Sequence, residues 1–184
     1  MIQTMHLLTA PTAESVTVAE AKLAARLGDS ADFDALLPGL IVAARQQAEQ
    51  DTGVRLMAQT WRTELADWPA DTDIINLYQA TAAAVTYWTG SAWVVMAGGS
   101  FEFAQVGNGT ALAPALGTAW PALGTKAVGP RVRIDLTAGA ATAATVPECV
   151  KLYIKAAVAY AIDNPSDPSP PRSLASLLDS ARVY

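Results

Sequence analysis

Apolar residues recur at spacings of three and four along several stretches of the chain, which is the period of an α-helix. The clearest stretch ends at Gly53, and its polar face carries Asp34, Arg45, Gln46 and Glu49. Its apolar face consists of Phe33, Leu36, Leu37, Leu40, Ile41, Ala44 and Ala48. Pro38 lies inside this pattern, so either the helix kinks there or it begins afresh with the proline in its first turn.

Two further helices are indicated. Thr17 and Glu20 have the spacing of a capping box, and a helix is predicted from about Val18 to Leu27, with Gly28 at the C′ position. A third helix is predicted between Pro147 and Asn164. Its apolar face consists of Val150, Tyr153, Ile154, Ala157, Val158 and Ala161. The proline-rich stretch SDPSPPRS that follows is typical of a stiff linker, and the tail beyond it predicts at most two helical turns.

Between residues 57 and 137 the period changes to two, as in half-buried strands. QTWRTEL predicts a strand with the indole of Trp61 inward, and AVTYW-TGS-AWVVM predicts a hairpin with Gly90 in its loop. The predicted fold class is therefore α+β: a helical core of three main helices, with a small antiparallel β subdomain inserted between helices 2 and 3. We expect one domain over residues 1–184, with a helical core at 17–53 and 147–163, a β insertion at 57–137, and a linker and C-terminal tail at 164–184.

Charge and composition narrow the function classes. The net charge is −5, only 16% of the residues are charged, and no Lys/Arg cluster occurs. This argues against a protein that binds nucleic acid by neutralising phosphates, and a weakly charged surface favours burial against partners. One cysteine excludes an internal disulfide. With no signal-peptide pattern and no run of about 20 apolar residues, we expect a soluble protein, intracellular when made.

The candidates for chemistry are few. His6 and Cys149 would form a thiol enzyme only if the fold brought them together, and a structural cysteine is the simpler interpretation. Asp29, Asp32 and Asp34 lack the spacing of a calcium loop and suit helix capping. The glycine stretches AGGS and GNG lack the features of a phosphate loop. We therefore predict no catalytic, cofactor-binding or metal-binding residue, and no enzyme activity.

Five tryptophans remain, all in the predicted β subdomain: Trp61, Trp68, Trp88, Trp93 and Trp120. Their aromatic faces suit either the core of that subdomain or a surface that binds a partner. The core is the simpler interpretation. A carbohydrate- or peptide-binding module that uses these tryptophans stays open as an alternative from a different class.

A series of motifs stands in a fixed order along the first seventy residues. They are Pro11, Val16-Thr17-Val18-Ala19-Glu20-Ala21-Lys22, Arg26-Leu27, Asp34-Ala35-Leu36-Leu37, Leu40-Ile41, Ala43-Ala44-Arg45, Ala48-Glu49, Thr52-Gly53, Leu56, Gln59-Thr60-Trp61 and Trp68-Pro69. Val146-Pro147 and Leu177-Leu178 follow later. In these motifs, and mainly in the first seventy residues, the chain resembles the head-to-tail connector (adaptor, or head-completion) proteins of tailed bacteriophages.

The resemblance implies a structural virion protein in the neck, at the head–tail interface, made in the host bacterial cytoplasm. Such proteins form a homo-oligomeric ring, commonly a dodecamer, that binds the portal protein and joins the DNA-filled capsid to the stopper or tail-completion protein. DNA passes through the channel during ejection without sequence-specific binding. The same resemblance fits the equivalent connector of a gene transfer agent. Neither a cofactor nor a membrane is implied.

The C-terminal tail is the predicted partner-docking segment. It combines apolar side chains with an arginine and a tyrosine beyond a stiff spacer, and it is too short to be a stable helix alone. We expect it to dock onto the portal or a neighbouring subunit. The residues that carry this prediction are Leu174, Leu177, Leu178, Arg182 and Tyr184.

Overall fold

The computed structural model describes residues 4–70 and 73–183. Its strands are β1 (Thr4–Thr9), β2 (Gln59–Leu65), β3 (Ile74–Ile75), β4 (Ala80–Trp88), β5 (Trp93–Val95), β6 (Phe101–Val106), β7 (Gly109–Pro114) and β8 (Val132–Ala138). Its helices are α1 (Val18–Ala24), α2 (Leu37–Thr52), α3 (Glu148–Asp163) and α4 (Arg172–Ala175), with 3₁₀ turns at Ala143–Thr145 and Ser176–Ala181. The α+β fold class is confirmed.

The chain divides into two compact units. The sheet unit consists of Met1–Ala10 and Gln59–Gly139, and the helical unit consists of Pro11–Ala58 and Ala140–Tyr184. Each unit is therefore built from two separate stretches of the chain.

The sheet unit contains a five-stranded antiparallel sheet in the order β1-β2-β8-β4-β5 and a three-stranded sheet in the order β3-β7-β6. Side chains of β8 alternate between buried and half-buried, as the period of two requires. Its inward residues are Val132, Ile134, Leu136 and Ala138. On its other face, Arg62 of β2 lies opposite Asp135 and bonds both carboxylate oxygens, at 2.6 and 2.7 Å. Cross-strand pairs of this kind hold the register.

Strand β1 was not predicted from the sequence. His6, which no predicted element contains, lies in β1 opposite Arg62. Leu7 and Leu8 are adjacent, so the segment lacks the alternation of apolar and polar residues by which a strand is recognised. The strand forms instead by pairing with β2, more than fifty residues away. A local pattern cannot report such a partner. The predicted hairpin is confirmed, with Trp88 opposite Trp93 across the turn that holds Gly90.

The helical unit begins with the predicted capping box. The Thr17 hydroxyl accepts from the Glu20 backbone N–H, and a Glu20 carboxylate oxygen accepts from the Thr17 N–H at 2.8 Å. The Thr17 hydroxyl also donates to that carboxylate oxygen at 2.8 Å, and the two bonds to the carboxylate lower the pKa of Glu20. The helix ends at Ala24, three residues before the predicted Leu27, because Arg26 already takes the left-handed conformation with φ 56°.

Helix α2 begins at Leu37 with Pro38 in its first turn, so the second of the two alternatives for Pro38 is correct. It ends as predicted at Gly53, whose φ is 76° and whose N–H donates to the Glu49 carbonyl. Together with α1 and α3 it encloses the core of this unit. The largest fully buried members of that core are Leu37, Ile41, Tyr153, Ile154 and Leu178.

Candidate functional site

Helix α2 buries two charged residues that the sequence pattern assigned to its polar face. Arg45 is 4% exposed and Glu49 is 3% exposed. Arg45 donates to Glu14 at 2.8 Å and lies 3.0 Å from the Glu49 carboxylate, and Arg55 lies 3.8 Å from the same carboxylate. We call these four residues the buried ion cluster. The prediction of a solvent-facing Arg45 and Glu49 was wrong because opposite charges from the flanking segments allow both to be buried.

The buried ion cluster also stabilises the backbone segment that follows α2. A Glu49 carboxylate oxygen accepts from the backbone N–H of Leu56 at 3.0 Å, which closes the turn that Gly53 begins. Burial lowers the pKa of Arg55, and the Glu49 charge opposes that effect. One carboxylate therefore holds two arginines and a backbone amide in place.

The outward side of α2 is correspondingly uncharged. Its exposed positions are Pro38, Gly39, Ala43, Gln46, Gln47 and Gln50, which we call the neutral face of α2. The remaining charge of the helix, Asp51, is half-buried and accepts from the Gln47 amide at 3.0 Å. A helix that faces solvent normally carries charges on its outer side. In this helix two of the three charged residues, Arg45 and Glu49, are buried instead.

A second surface of the helical unit is apolar. Leu23 of α1 is 81% exposed and Leu152 of α3 is 51% exposed. With Ala24 and Ala156 they line a groove of about 530 Å³ between α1 and α3, flanked by Glu20 and Lys155. We call this the α1–α3 groove. It exposes large apolar side chains that nothing in the described part of the helical unit covers.

The predicted docking tail packs on its own helical unit. Leu178 is fully buried, and Leu174 and Leu177 are half-buried against the same core. Arg182 pairs with Asp179 at 3.2 Å. The Val183 N–H donates to the Thr52 carbonyl at the end of α2. Tyr184 lies outside the described residues. Docking of this tail onto another protein stays a prediction.

The tryptophans mainly contact other residues of the sheet unit. Trp68 and Trp120 stack at 4.6 Å, and the Trp68 indole N–H donates to the Pro121 carbonyl at 2.7 Å. Both pack against the buried core of the unit, as does Trp61. Trp88 meets Trp93 edge to face at 5.9 Å. Arg133 and Lys126 lie over the Trp93 ring, at 4.0 and 4.8 Å. Contacts of this kind fix the loops around β5.

A cavity of about 480 Å³ lies in the same unit. Tyr87 and Met96 line one part of it, and Thr118 and Pro121 line another. No charged side chain lines it. The cavity therefore lacks the convergent titratable groups of a typical active site.

The residues considered for chemistry fall in both units. Cys149 lies in the first turn of α3 and its sulfur accepts from the Ser180 hydroxyl at 3.5 Å, whereas His6 belongs to the sheet unit. Asp34 forms an ion pair with Lys22, and Asp32 accepts from the Ser30 hydroxyl. Residues 4–70 and 73–183 contain no group of three potential ligands that could hold a metal ion. No helix in those ranges is long and apolar enough to span a bilayer.

Comparison with known proteins identifies the fold. No protein-family model matches the chain, and no curated protein matches it. One solved structure that matches, the neck of an empty GTA particle computed with C6 symmetry, contains a chain that is 22% identical, with a TM-score of 0.77. The alignment covers 98% of this chain and 96% of that one. The fold is that of a GTA neck chain.

Two further structures agree. The virion of a native gene transfer agent (GTA) particle contains a chain that is 23% identical, with a TM-score of 0.76, and the alignment covers 98% of this chain and 95% of that one. The neck of a native GTA particle computed with C12 symmetry gives 20% identity and a TM-score of 0.66, with 98% and 96% covered. The resemblance drawn from the sequence is thus confirmed at the level of the fold.

Proposed function

We propose that this protein is a structural component of the neck of a phage-like particle, located in the virion and without enzyme activity. The observation that carries the proposal is the full-length match to the GTA neck chain, with nearly complete coverage of both chains. A domain that shares only a common architecture with an unrelated protein would match over part of its length. The uncharged cavity and the absence of a metal-ligand group in the described residues are compatible with it.

The finer proposal is a connector, or adaptor, that forms a ring under the portal and joins the DNA-filled capsid to the stopper or tail. Two of the matching structures were computed with sixfold and twelvefold symmetry, which supports a ring. A ring needs two different contact surfaces on each subunit, and the helical unit offers a neutral and an apolar one. The net charge of −5 also suits a channel through which DNA slides, since a basic lumen would bind phosphates.

The test is particle assembly without this protein. With its gene deleted, we expect DNA-filled heads that lack tails, seen by negative-stain microscopy, and expression of the chain from a plasmid should restore the tails. The purified chain, mixed with the portal protein encoded in the same gene cluster, should add a ring of density to the portal. Deletion particles that keep their tails would contradict the connector role.

The tail remains a proposed contact with the portal or a neighbouring subunit. Because Leu178 is buried in the helical core, removal of the whole tail would perturb the fold as well as any docking. Arg182→Glu is the sharper change, since the Arg182 side chain is 30% exposed and pairs with the more exposed Asp179. We expect this variant to fold normally and to bind the portal at least about tenfold more weakly. Unchanged binding would reject Arg182 as a docking residue.

A further inference from the structure

The outward side of α2 has the composition of a surface that is buried in an assembly. All six of its exposed positions are uncharged, and Arg45 and Glu49 are turned into the core. The cores of protein interfaces are depleted of charged residues, whereas solvent-facing helices normally carry them. Three glutamines and a small-residue segment at Gly39 and Ala43 provide hydrogen bonds and close approach without desolvating a charge.

The α1–α3 groove complements that face. Leu23 and Leu152 form its exposed apolar walls, with alanines between them. Glu20 and Lys155 flank it with opposite charges. Its net charge is thus near zero. A groove of this kind does not suit a nucleic acid or any partner with charge of one sign, but it matches the neutral face of α2.

We propose that the neutral face of α2 in one subunit packs into the α1–α3 groove of the next subunit. This inference rests on the proposed function, because it names the subunit contact of the proposed ring. The two surfaces are different patches of one unit, so their contact is heterologous and closes a ring when the rotation permits.

The contact is too small to hold a pair of subunits together alone. Helix α2 has 16 residues, so it is about 24 Å long and about 10 Å wide, a footprint of roughly 240 Å². A stable pair usually buries about 800 Å² on each partner. One such contact is therefore weak. In a closed ring each subunit makes two of these contacts, and the ring is more stable than a pair because both contacts must break before a subunit leaves.

The experiment places charges on both surfaces. The acidic-α2 variant is Gln46→Glu with Gln50→Glu, and the basic-groove variant is Leu23→Lys with Leu152→Lys; all four positions are exposed. Glu and Lys are as good helix formers as Gln and Leu, so we expect both variants to fold. The matched control for the acidic-α2 variant, Ser166→Glu with Ser169→Glu, adds the same two negative charges to the exposed linker. Circular dichroism checks folding, and sedimentation velocity with negative-stain microscopy measures assembly with and without the portal.

We expect the control to assemble like the wild type and each double variant to associate at least about tenfold more weakly, because its charges would be buried without partners. Combining acidic α2 with the basic groove in one chain should restore rings. Combining acidic α2 with Leu23→Glu and Leu152→Glu should not. A merely structural role of these positions would not produce this dependence on sign.

Several results would overturn the inference. They are normal rings from the acidic-α2 variant, failure of the opposite charges to restore assembly, a wild-type chain that self-associates neither alone nor on the portal, and rings that form but lose only portal binding. Normal rings from the acidic-α2 variant, in particles whose tails still need this protein, would reject the contact and leave the proposed function standing. If assembly depended on the sign of the charges but particles formed tails without this protein, the contact would stand and the proposed function would be rejected.

Discussion

Glu49→Gln is expected to lower the free energy of unfolding by about 3 kcal/mol, which is the usual cost of removing one partner from a buried ion pair. Glutamine keeps an oxygen that can accept from the Leu56 N–H but removes the charge that faces Arg45 and Arg55. Arg45, only 4% exposed, is left with Glu14. Urea unfolding followed by circular dichroism measures the change through the midpoint and the slope.

Two controls separate the effect of disrupting a buried ion pair from the effect of removing any carboxylate. Glu148→Gln removes an exposed carboxylate that pairs with Lys151, and it should leave the unfolding midpoint unchanged. Arg45→Met combined with Glu49→Gln keeps an acceptor for the Leu56 N–H and should recover the part of the loss that comes from the unpaired charge of Arg45. If Glu49→Gln unfolds at the same urea concentration as the wild type, the buried ion cluster does not stabilise the helical unit.

Leu178→Ala is expected to lower the free energy of unfolding by about 2 to 5 kcal/mol, because it leaves a cavity in the core of the helical unit. Leu178 is fully buried there, although it lies beyond the proline-rich linker. Leu177→Ala is the matched control: the same atoms are removed from the neighbouring residue, which is half-buried. Its loss should be clearly smaller, and urea unfolding compares the two.

Comparing these two variants shows whether the tail is part of the folded helical unit or is free to dock elsewhere. A large loss for Leu178 and a small one for Leu177 would establish the tail as part of the folded unit, whose outer residues alone are available to a partner. Equal and negligible losses would contradict the packing described above. The tail would then be free to leave its own subunit and dock by its leucines, as the sequence alone led us to expect.

Local patterns predicted the helices well, because their determinants lie within a few residues. The capping box of Thr17 and Glu20 and the left-handed Gly53 each act on their own turn of helix, whereas the pattern left open whether Pro38 kinks α2 or begins it. The end of α1 was misplaced because a non-glycine residue, Arg26, adopts a positive φ. Such a conformation is rare enough that sequence reasoning assigns it to the next glycine instead.

Long-range partners account for what the sequence did not predict. Strand β1 depends on β2, and the burial of Arg45 depends on Glu14, thirty-one positions away. A charged residue is expected to be exposed unless a partner of opposite charge is known. The periodic pattern therefore placed Arg45 and Glu49 on the solvent-facing side of the helix. For the same reason the neutral face of α2 is visible only in the structure. It emerges once Arg45 and Glu49 are known to be buried.

The interleaving of the two units has a consequence for folding during synthesis. The ribosome releases the N-terminal residues first, and domains fold as units when they are complete. All strands of the sheet unit have emerged once Gly139 is out, so that unit can fold first. The core of the helical unit needs α3 and then Leu178, so α1 and α2 must wait for the last fifth of this chain. Incomplete chains therefore expose the apolar side of α2 and are natural substrates for chaperones and proteases.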